Sequence, residues 1–210
     1  VDDSGNDLDD ISANELFDNA ALCSLIDILT GVVTFGDSLF EQHNTFSGTS
    51  GYAPSETMGY YNGRFSNGPV ATEYLAERLG LAVDVTNGAM SNYAYMGATS
   101  GTESHAFGLY GVDVSGGESG FGHHSEKGLT KQVEAYKTAC GGYLDPRGLY
   151  VISAGQADLD HEMVEAHKAN QDVSGIDYDI SNIVARIKPA VTSLSGAGAK
   201  VIMVVGPGMN

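Results

Sequence analysis

The sequence predicts a three-layer α/β/α domain on a mostly parallel sheet. Two observations carry this. Short apolar runs alternate with stretches of helical period. Over 210 residues, a balance of 42% hydrophobic to 18% charged residues suits one domain with a substantial core. The 28 glycines, nearly twice the average share of about 7%, call for many tight turns and long loops rather than a helical bundle.

Residues 1–30 read as an acidic extension. Ser12-Ala13-Asn14-Glu15 matches a capping box, and Leu16, Cys23, Ile26 and Leu29 keep the spacing of one amphipathic helix. The domain proper, 31–210, opens with Val32-Val33-Thr34-Phe35, a short buried-strand run ending in Gly36-Asp37. A helix is expected over about Pro69 to Leu79, capped by Asn67, with Val70, Tyr74, Leu75 and Leu79 inward and Gly80 as its stop. A strand near Ala82 to Thr86 follows. Residues 98–128 show no clear period. The next helix, about Thr130 to Cys140, turns Val133, Tyr136 and Cys140 inward and stops at Gly141-Gly142. Leu149 to Ser153 reads as a third strand. Ile180, Ile183, Val184, Ile187, Val191 and Leu194 keep helical spacing, with Pro189 expected to kink the helix. Lys200 to Val205 is the fourth strand.

Charge and cysteine content limit the partners. The net charge is −17 and no Lys or Arg precedes Arg64, so nucleic acid and anionic membranes are poor partners. The longest apolar stretch, Ala20 to Val33, is broken by Asp27 and falls short of the roughly 20 residues a spanning helix needs. A start at Val without a basic leader suits either a chain whose targeting segment has been removed, hence an exported protein, or a piece of a longer one. Cys23 and Cys140 form one disulfide or remain two buried thiols. No histidine or cysteine spacing argues for a metal, and no Gly-x-Gly-x-x-Gly or phosphate loop argues for a nucleotide or flavin. No cofactor is expected.

In a parallel sheet, ligands bind outside the carboxyl ends of the strands. That rule selects the loops after Phe35, Thr86, Ser153 and Val205. The first holds Ser38 directly after the strand, with its hydroxyl free to act as a nucleophile and its own N–H free to bind an oxyanion. Val33-Thr34-Phe35-Gly36-Asp37-Ser38-Leu39 resembles the first block of the SGNH/GDSL-type esterases and lipases. Asn62-Gly63-Arg64-Phe65-Ser66-Asn67-Gly68-Pro69-Val70 with Glu73-Tyr74-Leu75 is similar to the segment that follows the serine in the lipase-like branch. Asn92-Tyr93-Ala94 through Gly97-Ala98-Thr99 resembles the second block. The resemblance implies a flavodoxin-like fold and an ester substrate. It makes Ser38 the nucleophile, Asp37 its supporting turn residue, and Gly97 an oxyanion donor through its backbone N–H.

The family's third block, Gly-x-Asn-Asp, stands here as Gly155-Gln156-Ala157-Asp158, so the asparagine donor is replaced by Ala157. Loss of one such donor typically costs about 10²–10³ in turnover. Gln156 could donate only from a different direction. The Asp-x-x-His that supplies the base near the family's C-terminus has no counterpart at the expected place, so the resemblance implies a base from sequence not given. Asp158-Leu159-Asp160-His161 spells the pattern, but at the third strand, where it reads as coincidence. His43, His105, His123, His124 and His167 read as solvated polar residues. Two functions remain open: an ester hydrolase, and a catalytically silent module in a larger assembly. Lys200 to Val205, a hydrophobic strand at an open edge, calls for more polypeptide or a protein partner to cover it.

Overall fold

The computed structural model describes residues 29–49, 51–81, 90–105, 127–169 and 180–207. Four parallel strands, β1 (Gly31–Gly36), β2 (Met90–Asn92), β3 (Gly148–Ser153) and β4 (Val201–Val205), form a sheet in the order β2-β1-β3-β4. β1 pairs with β3 along its whole length, from Gly31 opposite Gly148 to Gly36 opposite Ser153. This order begins the flavodoxin-like 2-1-3-4-5 arrangement, whose direction reverses between β1 and β3.

The period-two alternation of strand residues divides the core. Val33, Phe35, Tyr150 and Ile152 point to one face, where α3 (Leu129–Ala139) brings Leu129, Val133 and Tyr136, and α5 (Ile180–Gly196) brings Ala190 and Leu194. Val32, Leu149 and Val151 point to the other, covered by Ala76 of α2 (Ala71–Arg78) together with Phe40 and Ala94. Helices on both faces complete the three layers. The one-turn helix α1 (Asn44–Gly48) follows β1, and α4 (Gln156–Lys168) follows β3.

Several details correct the expectations from sequence. Helix α2 starts two residues later than Pro69, and its N-cap is Val70, not Asn67; Glu73 Oε2 accepts the Val70 N–H at 2.8 Å. Arg64 holds the same carboxylate through two bonds of 2.6 and 2.8 Å. Tyr74 is exposed, and the buried positions of α2 are Thr72, Glu73 and Ala76. In α5, which contains Pro189, Ile180 and Val184 are exposed, because that helix packs through Ile183, Ala190 and Leu194. Cys140 is the exposed C-cap of α3 rather than a buried thiol. Helix α4 runs through text read as a loop and a coincidental motif. The 1–30 extension up to residue 28, the strand near 82–86, Cys23, His123 and His124 lie outside the described residues. β4 is an edge of the described sheet, with Met203 and Val204 exposed.

Candidate active site

The carboxyl ends of β1 and β3 approach so closely that a Cβ on Gly36, at φ 129°, would collide with the Ser153 carbonyl oxygen. From α3, Gln132 clasps Gly36 in both directions. Its Oε1 accepts the Gly36 N–H at 2.7 Å, and its Nε2 donates to the Gly36 carbonyl at 2.9 Å. The chain therefore leaves the sheet at a fixed point, and Ser38 lies two residues on, half-buried. Asp37 closes the turn around the serine. Its Oδ1 accepts the Leu39 N–H at 3.1 Å and its carbonyl accepts the Phe40 N–H at 3.3 Å. Burial pushes the Asp37 carboxyl up to about 6, against the pull of the Leu39 N–H, and the Asp160 and Asp158 charges add to the rise. Leu39, beside the serine, is exposed.

The second block is laced to this turn. Tyr93 N–H donates to the Thr34 carbonyl at 2.8 Å and Tyr95 N–H to the Gly36 carbonyl at 2.9 Å, carrying the β1 alignment past the end of β2. Asn92 Nδ2 donates to the Phe40 carbonyl at 2.6 Å, and Asn44 Nδ2 to the Asn92 and Ala94 carbonyls at 3.0 and 2.8 Å. Two residues beyond Tyr95, Gly97 sits at φ 69°, a left-handed conformation that favours glycine, with its carbonyl accepting the His105 N–H at 2.7 Å. Among the described residues, neither the Ser38 nor the Gly97 N–H is donated to a protein acceptor.

The third block behaves differently. Ala157 is buried and offers no side-chain donor. Gln156 Nε2 donates at 2.9 Å to Asp160 Oδ1, one turn along α4, so its amide is already engaged. Asp158 is buried, and its Oδ2 accepts the Ser100 N–H at 2.7 Å while its Oδ1 accepts the Ser100 hydroxyl at 2.8 Å. Arg186 Nη1 of α5 lies 3.3 Å from Oδ1. Asp158 thus ties the segment after Gly97 to α4 and α5, and these bonds occupy both of its oxygens.

Of the residues singled out from sequence, the fold brings Ser38, Asp37 and the Gly97 turn to one end of the sheet with Asp158. Glu41, Asn44, Thr45 and Gln132 were not singled out. Gln132 carried a readable signal, a polar residue on the inward stripe of Leu129, Val133 and Tyr136; the others sit in text with no periodicity. His43 and His167 are exposed, but His105 is not solvated as expected, since its side chain is only 16% exposed. It stacks on His161 with ring centroids 4.1 Å apart and planes 4° from parallel. Both line a cleft of about 480 Å³ that also touches Thr99, Glu103, Asp158 and Arg186. Ser38 is not in its lining, so this cleft neighbours the serine turn without enclosing it.

Among the described residues, no three His, Cys, Asp or Glu side chains converge to hold a metal ion, and no helix is long and apolar enough to cross a membrane. No curated protein matches the chain. The model of the GDSL-like Lipase/Acylhydrolase family matches residues 32–210, from β1 through β4. With the parallel sheet, the serine turn after β1 and the glycine turn after β2 all in place, the chain belongs to that family.

Proposed function

We propose that the protein hydrolyses carboxylic esters through Ser38. The Ser38 oxygen attacks the ester carbonyl carbon, and the carbonyl electrons move to oxygen, where the Ser38 and Gly97 N–H groups hold the oxyanion. Collapse expels the alcohol and leaves an acyl group on Ser38, which water then removes. A serine needs a base to take its proton; by family resemblance that base is a histidine, and among the described residues no histidine is hydrogen-bonded to Ser38. The reading rests on one observation: the Ser38 turn and the segment leading to Gly97 are stitched to the same strand end, through the Tyr95 bond to Gly36. The test is hydrolysis of p-nitrophenyl acetate and butyrate by the full chain and by Ser38→Ala. We expect Ser38→Ala to lower turnover by at least about 10³-fold. Turnover that survives the substitution would overturn the reading.

A second reading, a catalytically silent module, draws on the third block. Ala157 gives no donor, and Gln156 is engaged by Asp160. That reading predicts no ester turnover above the Ser38→Ala background.

A further inference from the structure

We infer that Glu41 and Thr45 are positioning residues for the Gly97 amide, an assignment that rests on the reading of Gly97 as an oxyanion donor. Glu41 is fully buried three residues after Ser38, where no helix or strand requires an acid. Its Oε1 accepts the Thr45 N–H at 2.8 Å, which holds the first turn of α1 in place. The Thr45 hydroxyl in turn accepts the Met96 N–H at 3.1 Å. Glu41, Thr45 and Met96 are all nearly inaccessible, at 0%, 1% and 3% exposed, so water does not compete for these bonds.

Met96 immediately precedes Gly97, so its N–H sets where the peptide between them begins. An oxyanion donor must point at the developing charge within a few tenths of an ångström, and a glycine at positive φ has no side chain to hold it there. The relay Glu41, Thr45, Met96 supplies that hold from the serine side. Asn44, from the same helical turn, grips the Asn92 and Ala94 carbonyls of the same segment. On the proposed reading, the short stretch from Ser38 to Thr45 therefore carries both the attacking group and the frame for the amide that receives the charge.

The test uses Thr45→Val, which keeps the branched shape but removes the acceptor for the Met96 N–H, beside Thr45→Ser, which restores it. Amide hydrogen exchange of the full chain reads positioning whether or not the protein is active. We expect Thr45→Val to speed exchange over residues 93–100 by about tenfold while β1 and β3 keep their wild-type protection. In ester hydrolysis we expect Thr45→Val to lower kcat by about tenfold with KM within about twofold, and Thr45→Ser to recover most of it. Unchanged exchange over 93–100 overturns the inference, as does a kcat loss that Thr45→Ser shares fully. If exchange rises as expected while wild type and Ser38→Ala hydrolyse ester equally, positioning stands and the hydrolase reading falls.

Discussion

Two buried carboxylates hold the Gly97 segment from its two ends, and they do so by different means. Asp158 accepts the Ser100 N–H and hydroxyl and faces the Arg186 guanidinium, so both of its oxygens have donors. Glu41 has the Thr45 N–H on Oε1 and, among the described residues, no hydrogen-bond partner on Oε2. The donor count decides what each group costs to bury. A buried carboxylate with a bare oxygen is favoured as the neutral acid. Burial accordingly pushes Glu41 up to about 7, against the pull of the backbone N–H groups of Thr45, Asn44 and His43 and of the Arg64 charge.

The sharpest way to break this comparison is at Asp158. Asp158→Ala strands the Ser100 N–H and hydroxyl in a dry site and leaves Arg186 without its partner, and we expect it to cost about 3–4 kcal/mol of stability. Arg186 is 40% exposed and recovers part of its solvation, so the loss comes mainly from Ser100. Urea unfolding of the full chain measures it. A loss under about 1 kcal/mol would mean that water or a rearranged loop satisfies Ser100, and that Asp158 is not the clamp of this segment.

The Glu41 end has a pH signature. Its carboxyl titrates at about 7 in the fold and at 4.5 ordinarily, and Asp37 at about 6 against 3.8. In both, the folded state binds the proton more tightly than the unfolded chain. Their contribution is therefore fully present below about pH 4 and is lost as pH rises through 6 and then 7. The melting temperature should fall between pH 5 and pH 8. Relief of repulsion in a chain of net charge −17 acts in the same direction, so Glu41→Gln is the control that isolates the acid. It keeps an acceptor for Thr45 but cannot ionise, and we expect it to remove about 2–3 kcal/mol of that pH dependence. A wild-type slope retained in Glu41→Gln would place the titration elsewhere. Asp145, held low by its Thr30 hydrogen bond, works in the opposite sense but below this window.

These two ends also mark what the sequence could reveal. Strands β1, β3 and β4, helices α2, α3 and α5 and the position of Ser38 were legible, because apolar runs, helical period and the strand-end rule depend only on local text, whereas β2 at Met90–Asn92 and the short helix α1 fall in text read as loop. Asp158 was legible as a position in a block but not as a clamp, since its partners Ser100 and Arg186 lie 58 and 28 residues away. Glu41 and Thr45 gave no signal: their bonds run inside a stretch without period, and the partner that matters, Met96, is 51 residues on. Helix α4 went unread because Gln156 to Lys168 mixes acids, histidines and small residues on a helix with only Ala157, Asp158 and Ala166 buried. Cys140 and Tyr74 were placed inward by periodicity, but at the C-cap of α3 and on the outer side of α2 the period no longer faces the sheet.

The third block offers the mildest and most informative perturbation. Asp158 matches the family pattern and ties Ser100 in place, whereas Ala157, which carries no side-chain donor, stands where the resemblance puts the asparagine. Ala157→Asn puts a side-chain amide back where the family carries one. Ala157 is 5% exposed, so the larger side chain must either reach the open end of the sheet or strain the first turn of α4. If the proposed hydrolysis holds and the amide reaches the oxyanion assigned to the Ser38 and Gly97 amides, ester turnover should rise about tenfold, a transition-state gain of about 1.4 kcal/mol and only part of what a fully aligned donor supplies. The gain should appear in kcat, because the donor acts on charge that exists only in the transition state. It should vanish in Ala157→Asn combined with Ser38→Ala. A stable, folded Ala157→Asn protein with unchanged kcat would mean that the start of α4 no longer faces the serine turn as a donor site. Under the proposed hydrolysis, the Ser38 and Gly97 backbone amides would then hold the oxyanion without a side-chain donor from this block.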